Sequence, residues 1–83
     1  MEYDKDKVDK MALALMYLTT FKEKLAGMEY YRSWKGYDWD ILNRLYEKGF
    51  IDNPVSKAKS VGLTDEGVKL SKELFKDYFD AND

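Results

Sequence analysis

Ser60-Val61-Gly62-Leu63-Thr64-Asp65-Glu66-Gly67 is the stretch that decides how this chain folds. A short apolar run with a β-branched residue leads directly into a threonine and two acids. Threonine is a favourable helix N-cap, because its hydroxyl accepts from an amide two or three residues on. Carboxylates in the first turn then meet the positive end of the helix dipole. The stretch therefore reads as a strand that becomes a helix without a loop. Val68, Leu70, Leu74, Phe75, Tyr78 and Phe79 continue that helix on one broad apolar arc to about Phe79. Upstream, Leu45-Tyr46-Glu47-Lys48-Gly49-Phe50-Ile51 closes another helix at glycine and opens a strand. Asp38 is placed to cap this third segment, which runs to Lys48. Asn53-Pro54 turns the chain between Phe50-Ile51 and Ser60–Leu63, giving a β-hairpin.

The N-terminal part reads as helical. One long helix is expected from Asp4 to Leu25, stopped by Gly27, and a short aromatic piece, Met28 to Tyr37, is helical in part and interrupted by Gly36. Met11-Ala12-Leu13-Ala14-Leu15-Met16-Tyr17-Leu18 is apolar on every side for two turns, and a helix of that kind must be buried all round. A domain of 83 residues offers little material to surround it. A homodimer is expected on this ground, with Leu13, Leu15 and Tyr17 of the first helix and Leu74 and Tyr78 of the last at its interface.

The order of elements and the two quoted stretches resemble bacterial winged-helix regulators of the antibiotic-resistance and phenolic-acid-response types. In those, a leucine-bearing recognition helix ends at lysine-glycine, an isoleucine begins the wing, and Leu-Thr-x-x-Gly closes it into a helix. The implied fold is mostly α with a small β-hairpin, a single winged helix-turn-helix-like domain over residues 1–83. Its order is long helix, short helix, third helix, two-stranded wing and C-terminal helix. Transferred by position, the resemblance implies Asn43 and Arg44 as base readers, Lys57 and Lys59 on the wing, and Arg32 and Lys35 as phosphate contacts.

Over nearly the full length the chain also resembles a small bacterial family, a domain of unknown function. That likeness rests on Trp34-Lys35-Gly36-Tyr37-Asp38-Trp39-Asp40 and Pro54-Val55-Ser56-Lys57-Ala58-Lys59-Ser60-Val61. It implies no catalytic residues and no established activity.

Composition narrows the function. The chain has 14 basic and 16 acidic residues and no cysteine or histidine. Disulfides, thiolate nucleophiles, the usual zinc and haem sites and the commonest general base are thereby excluded. No nucleophile–base pair is recognisable, so an enzyme is not expected, and neither is a cofactor. The Asp4-x-Asp6 and Asp38-x-Asp40 pairs lack the glycine and distal glutamate of a calcium loop. Positive charge collects in residues 21–35 and 53–63, whereas Asp40 and Glu47 flank Asn43 on the third helix. Carboxylates facing a phosphate-lined groove oppose binding, and a clearly basic domain is lacking. The favoured expectation is accordingly a homodimeric protein-interaction module, with a DNA-binding regulator as the alternative. The aromatic group Tyr30, Tyr31, Trp34, Tyr37 and Trp39 is expected in the core rather than lining a small-molecule pocket. The longest charge-free run, Met11 to Phe21, is eleven residues, too short for a membrane span of about 20, and its flank is not that of a signal peptide. A cytoplasmic location follows as an expectation.

Overall fold

A computed structural model describes residues 1–82 and shows three helices and a three-stranded antiparallel sheet. Helix α1 spans Lys5–Leu18, β1 Phe21–Leu25, β2 Met28–Trp34, α2 Trp39–Glu47, β3 Ser60–Leu63 and α3 Asp65–Phe79. The strands lie in the order β1-β2-β3.

The C-terminal half follows its local signals. The Thr64 hydroxyl accepts from the Gly67 amide at 3.0 Å and caps α3. Helix α2 ends in a Schellman arrangement: Gly49 takes φ +83°, its amide donates to the Tyr46 carbonyl, and the Phe50 amide donates to the Leu45 carbonyl. Asp38 occupies the N-cap position of α2, but its side chain makes no capping hydrogen bond.

The N-terminal half differs from the expected helices. Helix α1 begins where expected, with the Asp4 carboxylate accepting from the Lys7 amide, but ends at Leu18 rather than Leu25. The cause is local. The Thr19 amide turns back to the Met16 carbonyl at 3.2 Å, and the Thr19 and Thr20 hydroxyls donate to the same oxygen at 3.3 and 2.7 Å, which closes the helix there. Residues 21–34 then form a hairpin. Ala26 and Gly27 both have positive φ, 54° and 78°, which is the two-residue turn that matches strand twist. Gly27 is thus a hairpin residue and not a helix stop. The segment expected to be partly helical, Met28 to Tyr37, is largely β2. No second helix precedes α2, so the helix-turn-helix order is not reproduced.

The expected wing is also altered. Strand β3 pairs with β2 along its length, from Tyr31 opposite Leu63 to Trp34 opposite Ser60. Its other edge receives only residues 50–52, through an isolated Ile51–Leu63 bridge and the Asp52 amide donating to the Gly62 carbonyl. Residues 52–59 are irregular, because Pro54 has no amide to donate and its carbonyl is taken by Lys35 Nζ at 2.8 Å.

One cluster forms the core: Leu13, Ala14 and Met16 of α1, Leu42 and Leu45 of α2, Ile51, Val61 and Leu63 of the sheet, and Leu74 of α3. Each large aliphatic buried this way contributes about 1.5–3 kcal/mol. Helix α1 is covered principally by α3, with α2 and β2 closing its remaining sides. Its Ala12–Ala14 turn and Met16 are buried within a single chain, whereas Leu15, Tyr17 and Leu18 reach solvent. No helix among the described residues is long and apolar enough to cross a membrane.

Candidate functional site

The resemblance to winged-helix regulators makes α2 the base-contacting element, but its geometry assigns Arg44 elsewhere. On α1, Asp9 stands on the same face as Leu13 and Met16, so the packing of that face buries a carboxylate. Arg44 answers it with a bidentate pair, Nε to Oδ2 and Nη2 to Oδ1, both at 2.8 Å. Lys48, one turn on, reaches the same Asp9 carboxylate and that of Asp6, each at 3.1 Å. Burial alone pushes the Asp9 pKa up, but the hydrogen bonds and charges of Arg44 and Lys48 outweigh it and hold the group below the ordinary carboxylate value. The hydrogen bond to Asp9 correspondingly raises the pKa of Arg44. The guanidinium therefore clamps α2 onto α1 and is not free to read a base.

Two further cations are likewise engaged. Arg32 donates from Nε to the Ser60 hydroxyl and from Nη2 to the Ser60 carbonyl, both at 2.9 Å, and lies 3.6 Å from Glu23. Lys35 Nζ donates to the Pro54 carbonyl, the Ser56 carbonyl at 3.0 Å and the Ser56 hydroxyl at 3.1 Å, closing the 53–59 loop. Asn43, Lys57 and Lys59 are exposed. Of the six residues expected to face DNA, Arg32, Lys35 and Arg44 are thus structural ties, and Asn43, Lys57 and Lys59 are open to solvent.

The sheet presents a different surface. Register places Phe21, Glu23 and Leu25 of β1 on the same side as Arg32, Tyr30 and Met28 of β2, with Trp34 continuing the row. The opposite side carries Ser33, Val61 and Leu63, which are buried, and farther out Lys22, Lys24 and Glu29. The Ser33 hydroxyl donates to the Met16 carbonyl at 3.1 Å, which fixes this side against α1. The side facing away from the helices is therefore the apolar one along the hairpin. Phe21, Leu25, Met28, Tyr30 and Trp34 are 37–65% exposed there. Phe21 and Trp34 touch with ring centroids 5.8 Å apart, and the Tyr30 hydroxyl donates to the Met28 sulfur. An antiparallel sheet with one solvated face ordinarily turns its polar residues outward. Here five large apolar side chains share the outward side with Glu23 and Arg32. Of the aromatics expected in the core, Tyr37 packs half-buried against it and Tyr31 is half-buried on the inner side of β2, whereas Tyr30, Trp34 and Trp39 are exposed.

Residues 4–81 match the profile of a domain-of-unknown-function family, DUF6429. The chain belongs to the DUF6429 family. An uncharacterized protein, y4hR, of Sinorhizobium fredii (strain NBRC 101917 / NGR234) is 48% identical over 79 residues, which cover 95% of this chain and 97% of that protein. No solved structure matches the sequence.

In this DUF6429 chain, two residues expected at a subunit interface lie elsewhere. Leu13 and Leu74 are in the core, 1% and 8% exposed, because α1 and α3 pack on each other within one chain. Leu15, Tyr17 and Tyr78 do reach the surface, and the Tyr17 and Phe75 rings meet at a tilt of 39° with centroids 5.2 Å apart. Leu15 borders a shallow apolar groove of about 350 Å³ between α1 and α2, which also touches Met11, Tyr37 and Ile41. Among the described residues, no group of three or more acidic side chains is placed to hold a metal ion. The site residue that the sequence reading missed is Asp9. Its signal is visible: a lone carboxylate at i of an i, i+4, i+7 apolar row with Leu13 and Met16 calls for a cation from another element.

Proposed function

We propose that this DUF6429 chain is a non-enzymatic protein-interaction module that works as a homodimer. The observation that supports it is the outer face of the hairpin, where Phe21, Leu25, Met28, Tyr30 and Trp34 are exposed on one side of the sheet. Contiguous exposed apolar surface of this kind marks an association site in a soluble protein. The dimer is tested by light scattering across a concentration series. The expected mass is twice 9.8 kDa, and a chain that stays at 9.8 kDa up to several hundred micromolar would contradict it.

The alternative, a winged-helix DNA binder, keeps some support in the pairing of residues 50–52 against β3 and in the Thr64-capped α3. Its electrostatics are weaker. Affinity for DNA comes mainly from cations that neutralise phosphates, and Arg32, Lys35, Arg44 and Lys48 already bond within the chain. The expected outcome is no gel shift of mixed-sequence DNA at about 50 mM salt. A shift that Lys57→Glu with Lys59→Glu abolishes would instead favour the DNA-binding reading.

A further inference from the structure

We infer that two copies of this chain stack the outer faces of their sheets, so that the dimer is a β-sandwich built around Phe21, Leu25, Met28, Tyr30 and Trp34. This inference rests on the dimeric reading and adds to it the surface and its occupant.

The area is appropriate. A stable interface takes about 800 Å² from each partner, of which roughly 56–65% is apolar. At 37–65% exposure these five side chains offer on the order of 500 Å², the apolar share of one such half-interface. The shape is appropriate as well. The chain measures 43 × 32 × 18 Å, and its helices lie on only one side of the sheet. A twisted sheet with an apolar face is best covered by another of the same twist, about 10 Å away and within about 30° of parallel. A second copy provides that partner, with apolar residues at the same spacing.

Two of the three charged side chains on this face pair with each other. Glu23 and Arg32 lie 3.6 Å apart, and Asp52 sits beside them around a shallow hollow with Leu25 and Tyr30. The guanidinium would thus enter the interface already paired. Association along the edge of β1 is the competing arrangement, and the sequence opposes it. A two-fold axis through Phe21–Leu25 sets its central residue against its own copy, and the central residues are Lys22, Glu23 and Lys24. Like charges directly opposite are unfavourable, and lysine on an edge strand blocks further pairing. The dimer therefore forms through the face and leaves the edge free.

The chain has no cysteine, so single-cysteine variants report one position at a time. Tyr30→Cys places a thiol on the outer face, and Lys22→Cys places one on the opposite side of the same hairpin. With a bismaleimide of about 8 Å reach, matched to the ~10 Å sheet separation, Tyr30→Cys is expected to give a covalent dimer and Lys22→Cys is not. Equal yields, or linkage through position 22 alone, would overturn the sandwich while leaving a dimer in place. Leu25→Glu with Tyr30→Glu supplies a second readout. Both side chains are exposed in the single chain, so the variant is expected to keep its helical circular dichroism while dimer affinity falls at least about 30-fold. A folded variant that still dimerises at wild-type affinity would overturn the choice of surface. A wild-type chain that is monomeric throughout would overturn both the surface and the dimer, and would leave this face to a different protein.

Discussion

Replacing Asp9 with alanine is expected to lower the unfolding free energy by about 3 kcal/mol, the lower end of the range for breaking a buried ion pair. Asp9 is 1% exposed and receives three hydrogen bonds, two from Arg44 and one from Lys48. Its removal leaves two cations beside a small cavity against the α1–α2 contact. The cost stays near the lower end because both cationic side chains retain some access to water. A loss of this size moves the melting temperature of a domain of this length by roughly 12–24 °C. The effect depends on pH in a defined direction. The Asp9 pKa is lower in the folded chain than in the unfolded one, so its stabilising contribution is complete above the ordinary value of 3.8. It is lost as pH falls through the lower, folded value. Thermal unfolding of wild type and Asp9→Ala is therefore expected to differ most near neutrality and to converge below about pH 4. A difference that persists unchanged in acid would show that the carboxylate's charge is not what matters.

Gly67→Ala is the second substitution with a large expected effect, and its sign is opposite to the usual one. Alanine in place of glycine inside a helix ordinarily gains about 1 kcal/mol. A Cβ at position 67 would instead run into the backbone of Phe50, meeting its carbonyl oxygen, with the carbonyl carbon at 2.8 Å and Cα at 3.2 Å. That backbone is held from several directions and has no room to give. The Phe50 amide is bonded to Leu45, the Phe50 carbonyl accepts from the Thr64 amide at 3.1 Å, and the Thr64 hydroxyl donates to Gly49 at 2.7 Å. A destabilisation of about 3 kcal/mol is expected, measurable as a lower urea midpoint at unchanged slope. Gly62→Ala is a useful contrast. Its Cβ would contact the end of the Asp52 side chain, which can rotate away. Equal losses at the two glycines would contradict the close approach of α3 to residue 50.

The Gly67 contact also explains why part of this fold is legible in the sequence. Leu63-Thr64-Asp65-Glu66-Gly67 combines a strand end, a cap and a glycine required by close backbone approach, all within five residues. The end of α2 at Gly49 is equally local. The hairpin of residues 21–34 is harder to read, because its signals are ambiguous. An apolar helical run leads into Phe21-Lys22-Glu23-Lys24-Leu25, whose charges suit a helix surface, and glycine after alanine serves a helix end as well as a turn. What decides the outcome is the pair Thr19-Thr20, which captures the Met16 carbonyl together with Ser33 from a strand far along the chain. The alternation Met28, Tyr30, Arg32, Trp34 was present throughout, but it marks an outward face rather than a core.

Among the site residues, type and position were legible and role was not. Arg44 has the chemistry of a base reader and the geometry of a clamp, because Asp9, 35 residues away, lies opposite it. Of the residues expected at a subunit interface, Leu13 and Leu74 are in the core, while Leu15, Tyr17 and Tyr78 are exposed. The first helix buries Ala12, Leu13, Ala14 and Met16 within one chain but leaves Leu15, Tyr17 and Leu18 in solvent, and the hairpin adds five exposed apolar side chains on one face.

The choice between these surfaces is open to one direct measurement. Amide chemical shifts recorded by NMR over a dilution series report which residues change environment as copies separate. The predicted result is concentration-dependent shifts at Phe21–Leu25 and Met28–Trp34, with Asn43, Arg44, Lys57 and Lys59 unchanged. Shifts confined to α1 or α2, or a spectrum that does not change while the mass remains that of a single chain, would contradict self-association through the sheet.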